Sequence, residues 1–142
     1  MRDKRVYVSG PLTDPCTGRV SAAHLAVFRT AVSWLRQHSM MRVVDPTNVW
    51  VCRWPWLYGV LEWLFGSTGA YGLVLLYDLW LLMRCDYIYK IPGWRESRGA
   101  NVESCVAFHF RVFPYATQER REVLDKRLAR LIDKYASNVA ND

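Results

Sequence analysis

Glu103 and Asp78 are the two residues whose type and setting point most directly to chemistry. Glu103 lies in residues 84–108, RCDYIYKIPGWRESRGANVESCVAF, which reads as strand, loop and helix. Residues 85–91 are rich in β-formers, Pro92 and Gly93 break the strand, and a helical run begins at Ala100 with Glu103 in its first turn. A helix start offers unpaired N–H groups and partial positive charge, and Ser97 and Gly99 sit where a loop would deliver an anion to them. A carboxylate there either complements the helix dipole or acts as a catalyst. Asp78 stands in the middle of residues 70–84, AYGLVLLYDLWLLMR, an apolar helix candidate. Helix interiors disfavour aspartate, and an ionised carboxylate among leucines is costly unless it finds water or a partner. Asp78 therefore marks either a solvent-facing stripe or a group aimed into a cleft. Two carboxylates in unlike environments can divide acid and nucleophile roles, as in glycoside cleavage.

The elements that must position this pair alternate along the chain. Residues 5–9 (RVYVS) form a short apolar strand closed by Gly10-Pro11. Residues 20–37 place Val27, Phe28, Ala31, Val32, Trp34 and Leu35 on one helical face, and residues 42–44 form a second strand stopped by Asp45-Pro46. The third strand and its helix, running to about His109, belong to the stretch above. A fourth strand is expected at 111–113, ended by Pro114, then a helix over 121–135 with Thr117 as N-cap. The expected fold is α/β: a doubly wound, flavodoxin- or Rossmann-like parallel sheet of four to five strands with helices on both faces. Residues 1–142 read as one domain, with an aromatic-rich insertion at 50–70 and a tail at 137–142 expected to fray. In such sheets ligands bind at the carboxyl ends of the strands. Those ends bring Ser9, Gly10, Asp45, and the 92–99 loop with Ser97, Arg98 and Gly99 to one crevice.

Composition narrows the field. The 142 residues are 51% hydrophobic and 14% aromatic, enough for a full core. The net charge of +6 is dispersed: residues 119–134 hold six basic and four acidic side chains, an ordinary solvated helix face. A phosphorylated small molecule suits that modest field at least as well as a nucleic-acid polymer does. Four scattered cysteines, without CxxC or a signal-peptide pattern, read as reduced thiols of a cytoplasmic protein. The three histidines share no ligand spacing with them, so neither metal nor cofactor is expected. GxGxxG, P-loop and GxSxG motifs are absent, and Ser9 and Ser97 lack a spaced histidine, which argues against a serine nucleophile. Residues 50–69, with Trp50, Trp54, Trp56, Tyr58, Trp63 and Phe65, suggest a stacking surface or subunit interface, or else a core-covering helix at 57–65. Glu62, the Gly66–Gly69 break and Asp78 interrupt any apolar span of about 20 residues, so no membrane helix is expected.

VYVSGPLT at 6–13, VVDP at 43–46 and CDYIYKIPGW followed by S.GA..E at 85–103 resemble a small bacterial and phage domain family of the nucleoside 2-deoxyribosyltransferase-like superfamily. The resemblance covers roughly residues 6–113, with a gap over the aromatic section. It implies cleavage or exchange of N-glycosidic bonds in nucleosides or nucleotides. On that likeness Glu103 is the nucleophile at the anomeric carbon, Asp78 the acid that assists departure of the base, and Tyr7 an aromatic residue against the nucleophile. Ser97 stands where members acting on unphosphorylated nucleosides carry aspartate and nucleotide hydrolases carry serine. Ser97, Arg98, Gly99 and Asn101 would then cradle a 5′-phosphate. The family's phosphate loop carries an arginine after the first strand. Here Gly10-Pro11-Leu12-Thr13 lacks it, leaving Arg19 or Arg98 to substitute. The implied function is hydrolysis of a (2′-deoxy)nucleoside 5′-monophosphate. The alternatives are a base-exchanging deoxyribosyltransferase and a non-catalytic nucleotide-binding or sensor domain. Superfamily members are commonly dimers, so a homodimer is the implied assembly.

Overall fold

The computed structural model describes residues 4–11, 22–46, 55–115 and 118–140. Four parallel strands form the sheet: β1 (Arg5–Ser9), β2 (Arg42–Val44), β3 (Tyr87–Lys90) and β4 (Phe113–Pro114), in the order β2-β1-β3-β4. The helices are α1 (Ala22–His38), α2 (Pro55–Met83), α3 (Arg98–His109) and α4 (Gln118–Ala140). This is the expected doubly wound α/β arrangement, and the chain reverses its winding between β1 and β3. Pro114 is tolerated because β4 is an edge strand.

Each face of the sheet has its own core, separated by the two-residue period of the strands. Val6 and Val8 of β1, with Tyr89 and Ile91, pack against Phe28, Val32 and Leu35 of α1 and Leu124 and Leu128 of α4. The apolar residues of α1 and α4 recur at helical spacing, so each helix presents one stripe to the sheet. On the opposite face Tyr7 and Ile88 pack with Leu82 of α2 and Ala107 of α3.

Several boundaries differ from the sequence expectation. Helix α3 begins at Arg98, not Ala100, which moves Glu103 out of the first turn. The β4 strand lies at 113–114 because Arg111 adopts a left-handed backbone, φ 58°, that turns the chain out of α3. Helix α4 runs on to Ala140, into the stretch expected to fray. The proposed Thr117 cap lies outside the described residues, as do Arg19 and residues 47–54 of the aromatic section.

The greatest departure is α2. Gly66, at φ 77° and ψ 169°, occupies a backbone region that only glycine visits readily, and the helix bends there by 114° into two arms. No single helix among the described residues is long and apolar enough to cross a membrane.

Candidate active site

The site follows from two periodicities meeting on one face of the sheet. Tyr7 and Ser9 are two residues apart on β1, so both point toward α2 and α3. Helix α3 buries Ala100, Glu103 and Ala107, a stripe at three- and four-residue spacing. The two alanines let the helix approach the sheet closely, and Glu103 is the one ionisable group in that stripe, only 7% exposed. On the second arm of α2, Asp78 follows Ala70 by two helical turns and precedes Leu82 by one, both of which are fully buried. Helices α2 and α3 pack against each other, so their inward stripes bring Asp78 and Glu103 into one electrostatic environment.

Four polar atoms in this cluster are buried without a hydrogen-bond partner among the described residues: Tyr7 Oη, Ser9 Oγ, Asp78 Oδ1 and Glu103 Oε2. Buried polar groups are nearly always paired, so four unpaired atoms in one cluster set this place apart from the rest of the core. Burial, then the Asp78 charge, pushes the Glu103 carboxyl up to about 8, while the Tyr7 and Ser9 hydroxyls pull it back. Those hydroxyls lie close enough to act as dipoles on Glu103, yet the geometry leaves Tyr7 Oη, Ser9 Oγ and Glu103 Oε2 short of closed hydrogen bonds. Burial raises Asp78 to about 7. The Tyr7 phenol is raised by burial, then by Glu103 and Asp78, and stays protonated. A coupled pair of this kind retains at least one proton at neutral pH, so one carboxyl can donate a proton while the other acts as a carboxylate.

Neither acid occupies the bland setting that the sequence left open for it. Glu103 lies beyond the first turn of α3 and is buried, where complementing the helix dipole gains little. Asp78 is not part of the solvent stripe of its helix, which consists of Leu73, Leu76, Tyr77 and Trp80.

The remaining candidates divide into three groups. At the start of α3, Ser97 is the N-cap, and its hydroxyl accepts from the Ala100 N–H at 3.4 Å. Asn101 is exposed, and its side-chain amide donates to the carbonyls of Arg95 and Ser97 at 2.7 and 2.8 Å, fastening the loop to the helix. Arg98 is exposed and Gly99 half-buried beside them. At the end of β1, Gly10 is buried against Ile91: an added Cβ would stand 2.7 Å from the Ile91 Cβ, so the sheet requires glycine there. Asp45 goes elsewhere. Val44 faces the α2–α3 side, so the next residue turns to the α1 side, and Asp45 lines a 400 Å³ cavity with Arg29 and Arg36 of α1.

Sequence reasoning missed Lys90. It is the last residue of β3, paired in register with Ser9, and it shares the face of Ile88 and hence of Glu103. Its ammonium donates to the Ser104 hydroxyl at 3.2 Å. Strand parity counted from Ile88 was the signal that could have found it. No protein-family model, curated protein or solved structure matches the chain, so the geometry, together with the resemblance its motifs carry, is the basis for a functional reading.

Proposed function

We propose that the protein hydrolyses the N-glycosidic bond of a nucleoside or 2′-deoxynucleoside 5′-monophosphate, releasing free base and sugar 5-phosphate. The observation that carries this reading is the Asp78–Glu103 pair, Glu103 buried and Asp78 half-buried with its Oδ1 out of water, both carboxyls raised and Tyr7 and Ser9 aimed at Glu103. The motif resemblance supplies the substrate class, and the cationic Lys90 at the end of β3 suits a phosphate.

The higher value of Glu103 puts the shared proton there in the free protein, so the first step runs from the form in which that proton has passed to Asp78: the C1′–N bond breaks as the freed Glu103 carboxylate oxygen bonds to C1′, and Asp78 gives the proton to the departing base. The sugar passes through an oxocarbenium-like state that the Glu103 charge stabilises. In the second step water attacks C1′, the glutamyl ester breaks, and the Asp78 carboxylate takes up the water's proton. Tyr7, kept protonated, orients Glu103 and tempers its charge. Expelling water from the pair by substrate lowers the local dielectric and strengthens each of these interactions.

The test is to incubate the protein with the common nucleosides and their 5′-monophosphates and to follow free base by chromatography. Base release from monophosphates alone is the expected result. Release that requires a second base would replace hydrolysis by transfer, and binding without release would leave a nucleotide-binding domain.

The exposed face of α2 supports a homodimer as the working assembly. On the first arm Trp56, Trp63, Leu64 and Phe65 are 57–83% exposed, which rules out the core-covering reading. The second arm likewise exposes Leu73, Leu76, Tyr77 and Trp80, an apolar stripe of the kind that protein interfaces cover. The second-arm stripe recurs at the three- and four-residue spacing that fits another helix. Lipid is a poorer occupant, because the non-helical break at Gly66 would sit at the tip of an inserted hairpin.

A further inference from the structure

We infer that Lys90, together with Trp94 and Arg95, forms an anion site at the carboxyl end of β3 that holds the phosphate of a phosphomonoester ligand. Within the proposed function this is the 5′-phosphate of the nucleotide, so the inference deepens that reading and rests on it for the identity of the ligand.

Three observations converge on this place. First, a cavity of 680 Å³ opens there, lined among others by Lys90, Trp94, Arg95, Glu96, Asp125 and Lys126. Its size is that of a small-molecule site. Second, its lining carries three cations, Lys90, Arg95 and Lys126, against two carboxylates, Glu96 and Asp125. Asp125 is engaged by the Tyr89 hydroxyl, and Glu96 is exposed. Lys90 has no carboxylate partner among the described residues: its contacts are the Ser104 hydroxyl and the Trp94 ring, whose centroid lies 4.3 Å from the ammonium. The Arg95 guanidinium lies 5.5 Å from the same ring, so Trp94 holds two cations side by side. Burial, and after it the charges of Arg95 and Arg121, lowers the Lys90 pKa. Third, Lys90 borders the cavity at the strand end while its own side chain lies on the face of the sheet that carries Glu103. It stands beside Ser9, its partner in the neighbouring strand, and its ammonium is bonded to the residue that follows Glu103.

The inference is tested on the full chain by titration calorimetry with inorganic phosphate, a nucleoside 5′-monophosphate and the corresponding nucleoside. Lys90→Met is expected to weaken phosphate and monophosphate binding about tenfold or more, the worth of one charge-assisted hydrogen bond, with nucleoside binding unchanged and Lys90→Arg restoring most of the loss. In turnover the loss should fall on KM and spare kcat. Should Lys90→Met not fold, amine labelling of the wild-type chain read by mass spectrometry serves instead: monophosphate should protect Lys90 and nucleoside should not. Unchanged phosphate affinity in Lys90→Met, or equal protection by both ligands, overturns the inference. Failure of the two ideas is separable. Base release with an unaltered KM in Lys90→Met sinks the phosphate site alone, whereas Lys90-dependent phosphate binding without any base release sinks the glycosidase alone.

Discussion

Asp78 and Glu103 come from different helices, yet the charge of the first raises the pKa of the second. Each occupies an inward position that the helical period reserves for an apolar side chain, Asp78 in line with Ala70 and Leu82, Glu103 between Ala100 and Ala107. A buried Glu103 beside a half-buried Asp78 costs stability whenever the pair ionises.

That cost sets a pH dependence. Both folded-state values, about 7 and about 8, lie above those of the free side chains, 3.8 and 4.5. The folded chain therefore binds more protons than the unfolded one across this interval, and stability is expected to fall as pH rises from about 4 to about 8. Glu103→Gln should flatten the slope and, above pH 8, stabilise the protein by on the order of 3 kcal/mol. Urea unfolding of both forms at pH 5 and pH 9 measures this. Parallel curves would show that Glu103 does not ionise at a cost.

The two carboxyls should fail differently in turnover. Glu103→Ala is expected to abolish base release while the circular dichroism and melting profile remain those of a folded protein. Asp78→Asn should slow release by about 10²–10⁴-fold with substrate affinity retained, the usual contribution of a general acid. Substrates whose bases leave without protonation should recover much of the Asp78→Asn loss. An equal deficit for good and poor leaving bases would remove Asp78 from the acid role.

Gly10 is a structural requirement of the site. Gly10→Ala drives a Cβ into the Ile91 Cβ at 2.7 Å, a contact that only a backbone shift can relieve. A loss of about 1–3 kcal/mol is expected from the denaturant midpoint. Because Ser9 and Lys90 adjoin these two residues, activity should drop further than stability alone predicts. Wild-type stability in this variant would mean that the β1 and β3 ends separate freely.

The apolar face of α2 makes a separate prediction. Sedimentation should show a dimer of the full chain, and Leu76→Glu, on the 63% exposed position of the stripe, should produce a folded monomer. A wild-type monomer at tens of micromolar, or cosedimentation with phosphatidylcholine vesicles, would discard the homodimer.

The amino-acid sequence by itself determined the alternation of strands and helices, the parallel sheet, and the pairing of Tyr7 with Ser9 on one face. These rest on periods of two and 3.6 residues, which are local properties of the chain. The strand–loop–helix around Glu103 was legible for the same reason, although the helix was expected from Ala100 and starts at Arg98, which makes Ser97 its N-cap and not a loop residue. Tertiary structure decided the rest. Helix α2 is apolar nearly all round, so its pattern does not say which side packs, and only its seat against α3 turns Asp78 inward and leaves Leu76 and Trp80 outside. The bend depends on one glycine, Gly66, whose φ no pattern of neighbours specifies. Lys90 reads as an ordinary strand-end lysine until the register with Ser9 and the Trp94 ring are in place. Asp45 read as a crevice residue because it ends a strand, but one step of the pleat carried it to the α1 side. Whether two carboxylates face each other or face water is settled by distances between elements far apart in the chain, and those exist only once the chain has folded.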